Sequence, residues 1–457
     1  MIYLILFLSL LLRVIFLNQS FWLDEATSAN LAKNFSFVDI IVKFSPGDFH
    51  PPFYYLLLKL WSIPFGVSEV SARSLSVLVA VITVYVTYLI AKKLFSKSVG
   101  IMASLLLATA PLHIYYSQEA RMYVLQTLFV SLSVLFFVNI IKENKLKDWL
   151  VFAITLPFIG ATDYLPLLVL PVFWLVGLGT KKPLSWWGKL IAAHIPLAIL
   201  FSLWSPIFIN QLKAGLSVQS NSPNWWKLLG GSNLKELILL PTKFLMGRIS
   251  FDNKYLYGFL VVLVLAMFVA VTIKGLKLYK KALVIWLWLI VPVVLAFMIG
   301  LKISVFSYFR LLFVLPAMYL LIAIGLSKIK ENIFPFAFMA LVAINIVFSW
   351  QYLSNEKFHR EDWRTMSQTI KEDCKQKKCA VVFPSTSQQE AYRYYTNGEL
   401  IVKSEDLNQN YDQIYLVRYV WEISDPQDKT RQQIEKLDYK KHKEDNFGGV
   451  LIWEYKK

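Results

Sequence analysis

Three short polar segments carry residue types that together suit group transfer on a phosphate-linked substrate. They are Trp22-Leu23-Asp24-Glu25, Tyr116-Ser117-Gln118-Glu119-Ala120-Arg121-Met122-Tyr123 and Thr162-Asp163-Tyr164. Each sits where an apolar run begins or ends, and a carboxylate beside hydrocarbon is costly enough that it usually has a task. A carboxylate can serve as a general base, and a guanidinium fork matches the oxygens of a phosphate. Arg121, Arg310, Lys302 and His50 are expected at the same membrane level as these carboxylates. For Asp39, Glu69, Glu236 and Asp252 the preferred reading is a solvated loop charge or a helix cap, whereas Asp24 and Glu119 are read as functional.

The elements that must position these residues follow from composition. Of 457 residues, 56% are hydrophobic and only 17% charged, against roughly a quarter charged in soluble domains, which excludes an ordinary soluble enzyme. Residues 351–457 hold 18 basic and 18 acidic side chains, so the net charge of +17 belongs to the first 350. That excess lies in short loops between apolar runs, where it reads as a topology signal and as contacts for anionic lipid rather than as a nucleic-acid surface.

The chain therefore reads as a polytopic α-helical membrane protein with about eleven transmembrane helices, each of about 20 residues. Apolar runs lie near Ile2 to Leu17, Ser71 to Ile90, Val99 to Tyr116, Met122 to Ile141, Trp149 to Gly160, Leu165 to Gly179, Trp186 to Trp204, Tyr255 to Ile273, Leu283 to Leu301, Leu311 to Leu326 and Ile333 to Trp350. Every second short loop is basic, as with Lys92, Lys93 and Lys97, or Lys274, Lys277, Lys280 and Lys281. The positive-inside rule makes those loops cytoplasmic, which puts the N-terminus inside and the C-terminal part outside. The first run reads as a span and not a cleaved signal, because it lacks a basic start and a small-residue cleavage site.

On this topology Glu143, Asp148 and Glu331 are cytoplasmic and the other nine acidic residues of the membrane part face outward. Two outer loops are long, residues 18–72 and 205–254, and long loops in compact proteins are usually functional or structured. Their aromatic stretches, His50-Pro51-Pro52-Phe53-Tyr54-Tyr55 and Asn224-Trp225-Trp226-Lys227, suit short helices in the membrane interface. From Asp362 the pattern changes to a small α/β layer: a helix to about Asp373, strands Ala380 to Pro384, Gln413 to Val417 and Gly449 to Tyr455, and helices Ser387 to Tyr395 and Asp428 to Leu437. Residues 1–350 are thus read as a membrane domain and 351–457 as an extracytoplasmic α/β domain. Cys374 and Cys379, the only cysteines, either form a local disulfide or remain free thiols.

Taken in order, Trp22-Leu23-Asp24-Glu25, His50-Pro51-Pro52 with Tyr54-Tyr55, Ser117-Gln118-Glu119-Ala120-Arg121-Met122-Tyr123 and Ser307-Tyr308-Phe309-Arg310-Leu311-Leu312 running on to Pro316 resemble the GT-C class of membrane glycosyltransferases. The likeness is to the branch that includes protein O-mannosyltransferases and the aminoarabinose transferase of lipid A, and Asp362-Trp363-Arg364 with Ala380-Val381-Val382-Phe383 extends it into the outer domain. The resemblance implies transfer of a sugar from a polyprenyl-phosphate monosaccharide to a protein, lipid or glycan acceptor on the outer side of the cell membrane. It places the catalytic carboxylate on Asp24, the second acidic position on Glu119 and a basic position on Arg310. Some relatives carry a His where this chain has Asp163, which leaves the role of that position open.

Such a reaction needs a base for the acceptor and positive charge for the departing phosphate. Asp24 is the candidate base, acting with inversion at the anomeric carbon. Glu25, His50, Arg121, Tyr123, Asp163, Lys302 and Arg310 are candidates for substrate binding, with the arginines suited to the phosphate. No metal motif is complete; a divalent cation held by Asp24, Glu119 and His50 is an assembled alternative, and no cofactor is assigned. The rival readings are a lipid or solute transporter and an inactive scaffold of the same class. A transporter tends to place its ionisable residues near mid-membrane, whereas these carboxylates cluster at the outer span ends.

Overall fold

A computed structural model describes residues 1–221 and 231–457, with side chains described outside 218–230. The Trp225-Trp226 pair lies outside the described residues. Among the described residues, six helices are long and apolar enough to cross a bilayer: Glu69–Leu94, Tyr123–Glu143, Leu184–Ser217, Lys254–Leu278, Leu283–Gly300 and Phe334–Ser354. A seventh candidate is the pair Lys97–Ala108 and Pro111–Ser117, bent by 60° at its break, and Ile2–Val14, Leu165–Gly179 and Leu312–Leu326 are apolar but shorter. The expected count of about eleven spans is therefore not confirmed by length and composition. Ile191, Ile195, Ile199 and Leu203 form an exposed stripe along one face of the helix Leu184–Asn221, and apolar surface on that scale suits lipid, not water. The chain is an integral membrane protein.

Two departures from the expected boundaries have simple causes. The helix Leu184–Asn221 runs 38 residues and carries Pro196 and Pro206 inside it. At about 1.5 Å per residue it continues well past a bilayer, so the second outer loop begins later than residue 205. The first outer loop, residues 18–72, is largely helical, with Leu23–Asn34 and Phe53–Phe65 as its main pieces. Trp22 is the N-cap of the former, which puts Asp24 and Glu25 in a first turn, where the positive end of the helix dipole favours carboxylates.

The break between Lys97–Ala108 and Pro111–Ser117 exposes carbonyls inside the membrane part, and unpaired carbonyls there cost several kcal/mol each. Arg13, fully buried, donates to the Ala108 carbonyl at 2.9 Å and the Leu107 carbonyl at 3.4 Å, and contacts His113 Nδ1 at 2.8 Å. Pro111 starts the second piece, where its missing N–H is no loss. The bend delivers Gln118 to Met122 as a compact turn before Tyr123–Glu143 begins. Gln118 pins that turn by donating to the Arg13 and Ile15 carbonyls and accepting from Tyr352 Oη at 2.8 Å.

Beyond Phe334–Ser354 the chain enters a four-stranded sheet of order β1-β2-β4-β3, with β1 Cys379–Val382, β2 Gln413–Val417, β3 Lys440–Phe447 and β4 Val450–Lys456. β1 and β2 pair in parallel and the other pairs are antiparallel. The buried, apolar β1 and β2 lie within a residue or two of the expected strands. β3 was not expected, because Lys440 to Phe447 is charged on both faces and mostly exposed. Such a strand carries no alternating pattern, and its charges suit a sheet edge. Cys374 and Cys379 are joined as a disulfide.

The sheet and its helices dock on the first outer loop through polar contacts. Tyr395 Oη accepts from the Phe21 amide and donates to Glu69 Oε1, at 2.8 and 2.7 Å. Arg364 pairs with Glu69 at 2.6 Å, and Asn30 Nδ2 donates to Glu390 Oε2 at 2.8 Å. Glu69, expected as a solvated charge or cap, is thus a docking residue as well as part of the first turn of its helix.

Candidate active site

Asp24 and Glu25, neighbours in one helical turn, face different surroundings. Glu25 is completely buried and accepts from Arg73 Nε at 2.8 Å, from Arg73 Nη2 at 2.5 Å and from the Ala120 amide at 2.7 Å, with Arg360 Nε at 3.4 Å. Arg73 also donates to the carbonyls of Leu17, Gln19 and Ser20. Burial works against ionisation of Glu25, but Arg73 and Arg360 with the Ala120 amide outweigh it and hold its carboxyl below the usual range.

Glu119 shares this core. Arg360 Nη2 donates to its Oε2 at 3.2 Å, Ser76 Oγ donates to its backbone carbonyl at 2.7 Å, and its buried Oε1 has no hydrogen-bond partner among the described residues. Burial pushes its carboxyl up to about 7 against the pull of Arg360. Two carboxylates and two guanidiniums, Glu25, Glu119, Arg73 and Arg360, thus balance one another out of water, as buried charges must.

Asp24 stays open. Its side chain is 41% exposed, and its one ion pair among the described residues is with Arg121 Nη2 at 3.5 Å. Arg121 is buried and also donates to Tyr55 Oη at 3.2 Å, while Tyr55 donates to Asp48 Oδ2 at 2.8 Å. A chain Asp48–Tyr55–Arg121–Asp24 therefore lines one side of the site. Because Glu25 bonds to Ala120, the elements carrying Asp24 and Glu119 adjoin.

His50 and Asp163 form a second pair, Nδ1 to Oδ1 at 3.9 Å. Asp163 Oδ1 accepts from the Tyr164 amide at 2.7 Å, while its buried Oδ2 has no hydrogen-bond partner among the described residues. Gln211, from the extended part of Leu184–Asn221, fixes this corner by donating to the Ser45 and His50 carbonyls at 2.6 and 3.0 Å and by accepting from Tyr164 Oη. Arg310 acts electrostatically on Asp163 and Tyr123; it donates to the Ser304 carbonyl at 2.6 Å and lies 5.6 Å from the centre of the Phe309 ring. Tyr123 is buried edge-on against Tyr116 and Phe309. Lys302 is exposed in the turn after Leu283–Gly300.

The metal alternative is not supported by this arrangement. Among the described residues no group of three or more His, Cys, Asp and Glu side chains converges on one point. Asp24 faces Arg121, Glu119 faces Arg360 and His50 faces Asp163, and guanidinium partners are poor company for a cation.

Sequence reasoning did not single out Arg73, Arg360, Asp48 or Gln211, and it gave Tyr55 no role beyond its motif. The signal for Arg73 was an arginine inside an otherwise apolar run, which needs a buried partner. Arg360 gave no such signal, because it stands in a charged segment.

Residues 49–209 match the family described as dolichyl-phosphate-mannose-protein mannosyltransferase. No curated protein sequence matches the chain. Among solved structures, ArnT from Cupriavidus metallidurans bound to undecaprenyl phosphate superposes with a TM-score of 0.61 at 10% identity, over 99% of this chain and 97% of that one. Its apo state gives 0.59 at 11% identity, with the same coverage of both chains. The chain has the GT-C glycosyltransferase fold. The archaeal oligosaccharyltransferase AglB from Archaeoglobus fulgidus, in complex with an inhibitory peptide and a dolichol-phosphate, shares this fold at a TM-score of 0.55 and 11% identity, over 91% of this chain and 69% of that one. The resemblance to GT-C enzymes read from the motifs is borne out, and it takes in both the helical part and the C-terminal sheet.

Proposed function

We propose that this protein transfers a sugar from a polyprenyl-phosphate monosaccharide to a hydroxyl of a protein, lipid or glycan acceptor, on the outer side of the cell membrane. The observation that carries the reading is the environment of Asp24. It is a partly exposed carboxylate on turns adjoining the buried Glu25 and Glu119, and it stands 3.5 Å from a buried arginine. That these turns lie in a fold shared with ArnT bound to undecaprenyl phosphate and AglB bound to a dolichol-phosphate favours a lipid-phosphate donor.

In the proposed reaction Asp24 takes the proton of the acceptor hydroxyl as its oxygen attacks the anomeric carbon. The bond from that carbon to the phosphate oxygen breaks, and the polyprenyl phosphate leaves with the electron pair. Attack opposite the leaving group gives inversion. Arg121 and Arg310 are assigned to the phosphate, whose developing charge a guanidinium fork suits. His50, Asp163, Tyr123 and Lys302 are assigned to the substrate rim, and Glu119 to the catalytic carboxylate pair.

The N-terminus is placed in the cytoplasm and residues 351–457 outside, as a domain on a membrane domain of residues 1–350. The Cys374–Cys379 disulfide favours that placement, since such bonds persist in oxidising compartments. The test is sugar transfer in reconstituted membranes, from a panel of polyprenyl-phosphate monosaccharides onto envelope extract, comparing the wild type with Asp24→Asn. Transfer lost in the variant supports the reaction and the role of Asp24. Undiminished transfer moves the base elsewhere, and a wild type inert with every donor sinks the reading.

A further inference from the structure

Arg360 stands between the last long helix and the sheet, in the segment that follows Glu356–Phe358, yet its side chain is only 2% exposed and lies between the carboxylates of two outer turns. We propose that Arg360 is a positioning residue for sugar transfer, holding one oxygen of Glu119 so that the segment entering the C-terminal sheet completes the reaction centre. The inference rests on the transfer reading above.

The geometry separates the two arginines of the cluster. Arg73 makes two hydrogen bonds to Glu25 and three to carbonyls of the chain before it, so Glu25 is compensated without further help. Among the described residues, what Arg360 alone supplies is the contact to Glu119 Oε2 at 3.2 Å, and Oε1 has no partner. Its other contacts brace it: the Tyr352 hydroxyl at 3.4 Å, the Tyr115 carbonyl at 3.3 Å and the Tyr115 ring, whose centre lies 4.6 Å away. Flanked by carboxylates and aromatic rings, Arg360 acts through Glu119 and does not itself reach substrate.

The position of Arg360 is dictated from both sides. Its backbone amide donates to Gln19 Oε1 at 3.3 Å, in the first outer loop. Two residues on, the Asp362 amide donates to the Phe447 carbonyl at the end of β3 at 3.1 Å, and Arg364 pairs with Glu69. The hairpin after β3 passes close enough that a Cβ on Gly448, at φ +61°, would stand 3.2 Å from the Asp362 amide nitrogen. The sheet that sequence patterning reads as an appended layer thus sets where this guanidinium sits. The other charged and titratable groups acting on Glu119 are Glu25, Arg248 and Arg121. None of the described hydrogen bonds or ion pairs joins these three to its carboxylate, so Arg360 is the contact that orients it.

The experiment uses the full-length protein in liposomes with an accepted polyprenyl-phosphate sugar, measuring kcat, donor KM and Tm for wild type, Arg360→Met, Arg360→Lys and Asp24→Asn. A residue that orients Glu119 predicts a kcat about 10- to 100-fold lower in Arg360→Met with donor KM within about 2-fold, and an intermediate kcat in Arg360→Lys. Lysine keeps the charge and loses the fork. If Arg360→Met fails to fold, Arg360→Lys decides: a lowered kcat at unchanged donor KM supports the inference, and a wild-type kcat overturns it. Unchanged kcat in a folded Arg360→Met, or two variants whose activity falls only in proportion to lost folded protein, also overturns it while leaving the transfer reading intact if Asp24→Asn is inert. A wild type without transfer from any donor overturns the transfer reading and this inference with it.

Discussion

Asp24 and Glu25 share a helical turn and differ in almost every physical respect. Glu25 is out of water, bound by two arginines and a backbone amide, while Asp24 is 41% exposed and has a single long contact to Arg121. A buried carboxylate so fully engaged has no lone pair to spare for chemistry, and removing it leaves the Arg73 guanidinium inside the protein without its carboxylate. A half-open carboxylate beside one arginine keeps an oxygen accessible to an incoming molecule. The comparison teaches that two adjacent acidic residues can divide into one buried in the scaffold and one left open, to which the proposed reaction assigns the chemistry, and the division is testable from both sides.

The largest effect is expected on the working side. Asp24→Asn is expected to lower kcat for sugar transfer by about 10²- to 10⁴-fold, the usual contribution of a general base, with a Tm close to wild type. A large drop in Tm instead would erase the contrast with Glu25. On the scaffold side, Glu25→Ala is expected to destabilise the protein by about 3–5 kcal/mol, the scale for breaking a buried pair, read as a fall in Tm in detergent or liposomes. Near-normal stability would mean that Arg73 and Arg360 are less buried than their surroundings indicate.

Arg310 belongs to the open half. Arg310→Ala is expected to raise donor KM by about 10-fold, the scale of a charge-assisted contact to phosphate, at little cost in Tm; unchanged donor affinity removes its phosphate role. Glu119 lies between the two kinds. Because burial raises its carboxyl from the ordinary 4.5 to about 7, the folded protein holds a proton there that the unfolded chain releases. Its contribution to stability is therefore present in full below about pH 4.5 and lost as pH rises through 7. Thermal denaturation across that window is expected to show a slope in the wild type that Glu119→Gln lacks, and equal slopes would place Glu119 in contact with water. The smallest effect is at the rim of the scaffold: Glu69→Gln, which weakens the pair with Arg364, is expected to cost about 1 kcal/mol, measured as a modest fall in Tm with kcat retained.

How much of this was legible in the sequence varied with the range of the interactions involved. The segments around Asp24, Glu119 and Asp163 stood out because a carboxylate beside hydrocarbon is rare, and the structure brings Asp24, Glu25, Glu119 and Arg121 onto adjoining turns. The division of labour between Asp24 and Glu25 was not legible, since it depends on Arg73 and Arg360, which reach Glu25 from elsewhere in the chain. The second outer loop was drawn from residue 205 because hydropathy falls there, yet backbone hydrogen bonds carry Leu184–Asn221 onward as one helix and bring Gln211 to the Ser45 and His50 carbonyls. β3 was missed because edge strands need no apolar face.

The sequence by itself determined the solvent of each segment. Long apolar runs must bury their backbone hydrogen bonds as helices in a bilayer, and the balanced charge and short alternating helices and strands of the last hundred residues suit water. Tertiary structure alone decided which charges meet. Arg13 closes the broken span at Ala108, Arg73 and Arg360 bracket Glu25, and Arg360 joins the segment entering the sheet to Glu119. Ion pairing acts over a few ångströms in space and is blind to distance along the chain, so it becomes visible only when the fold has brought the partners together.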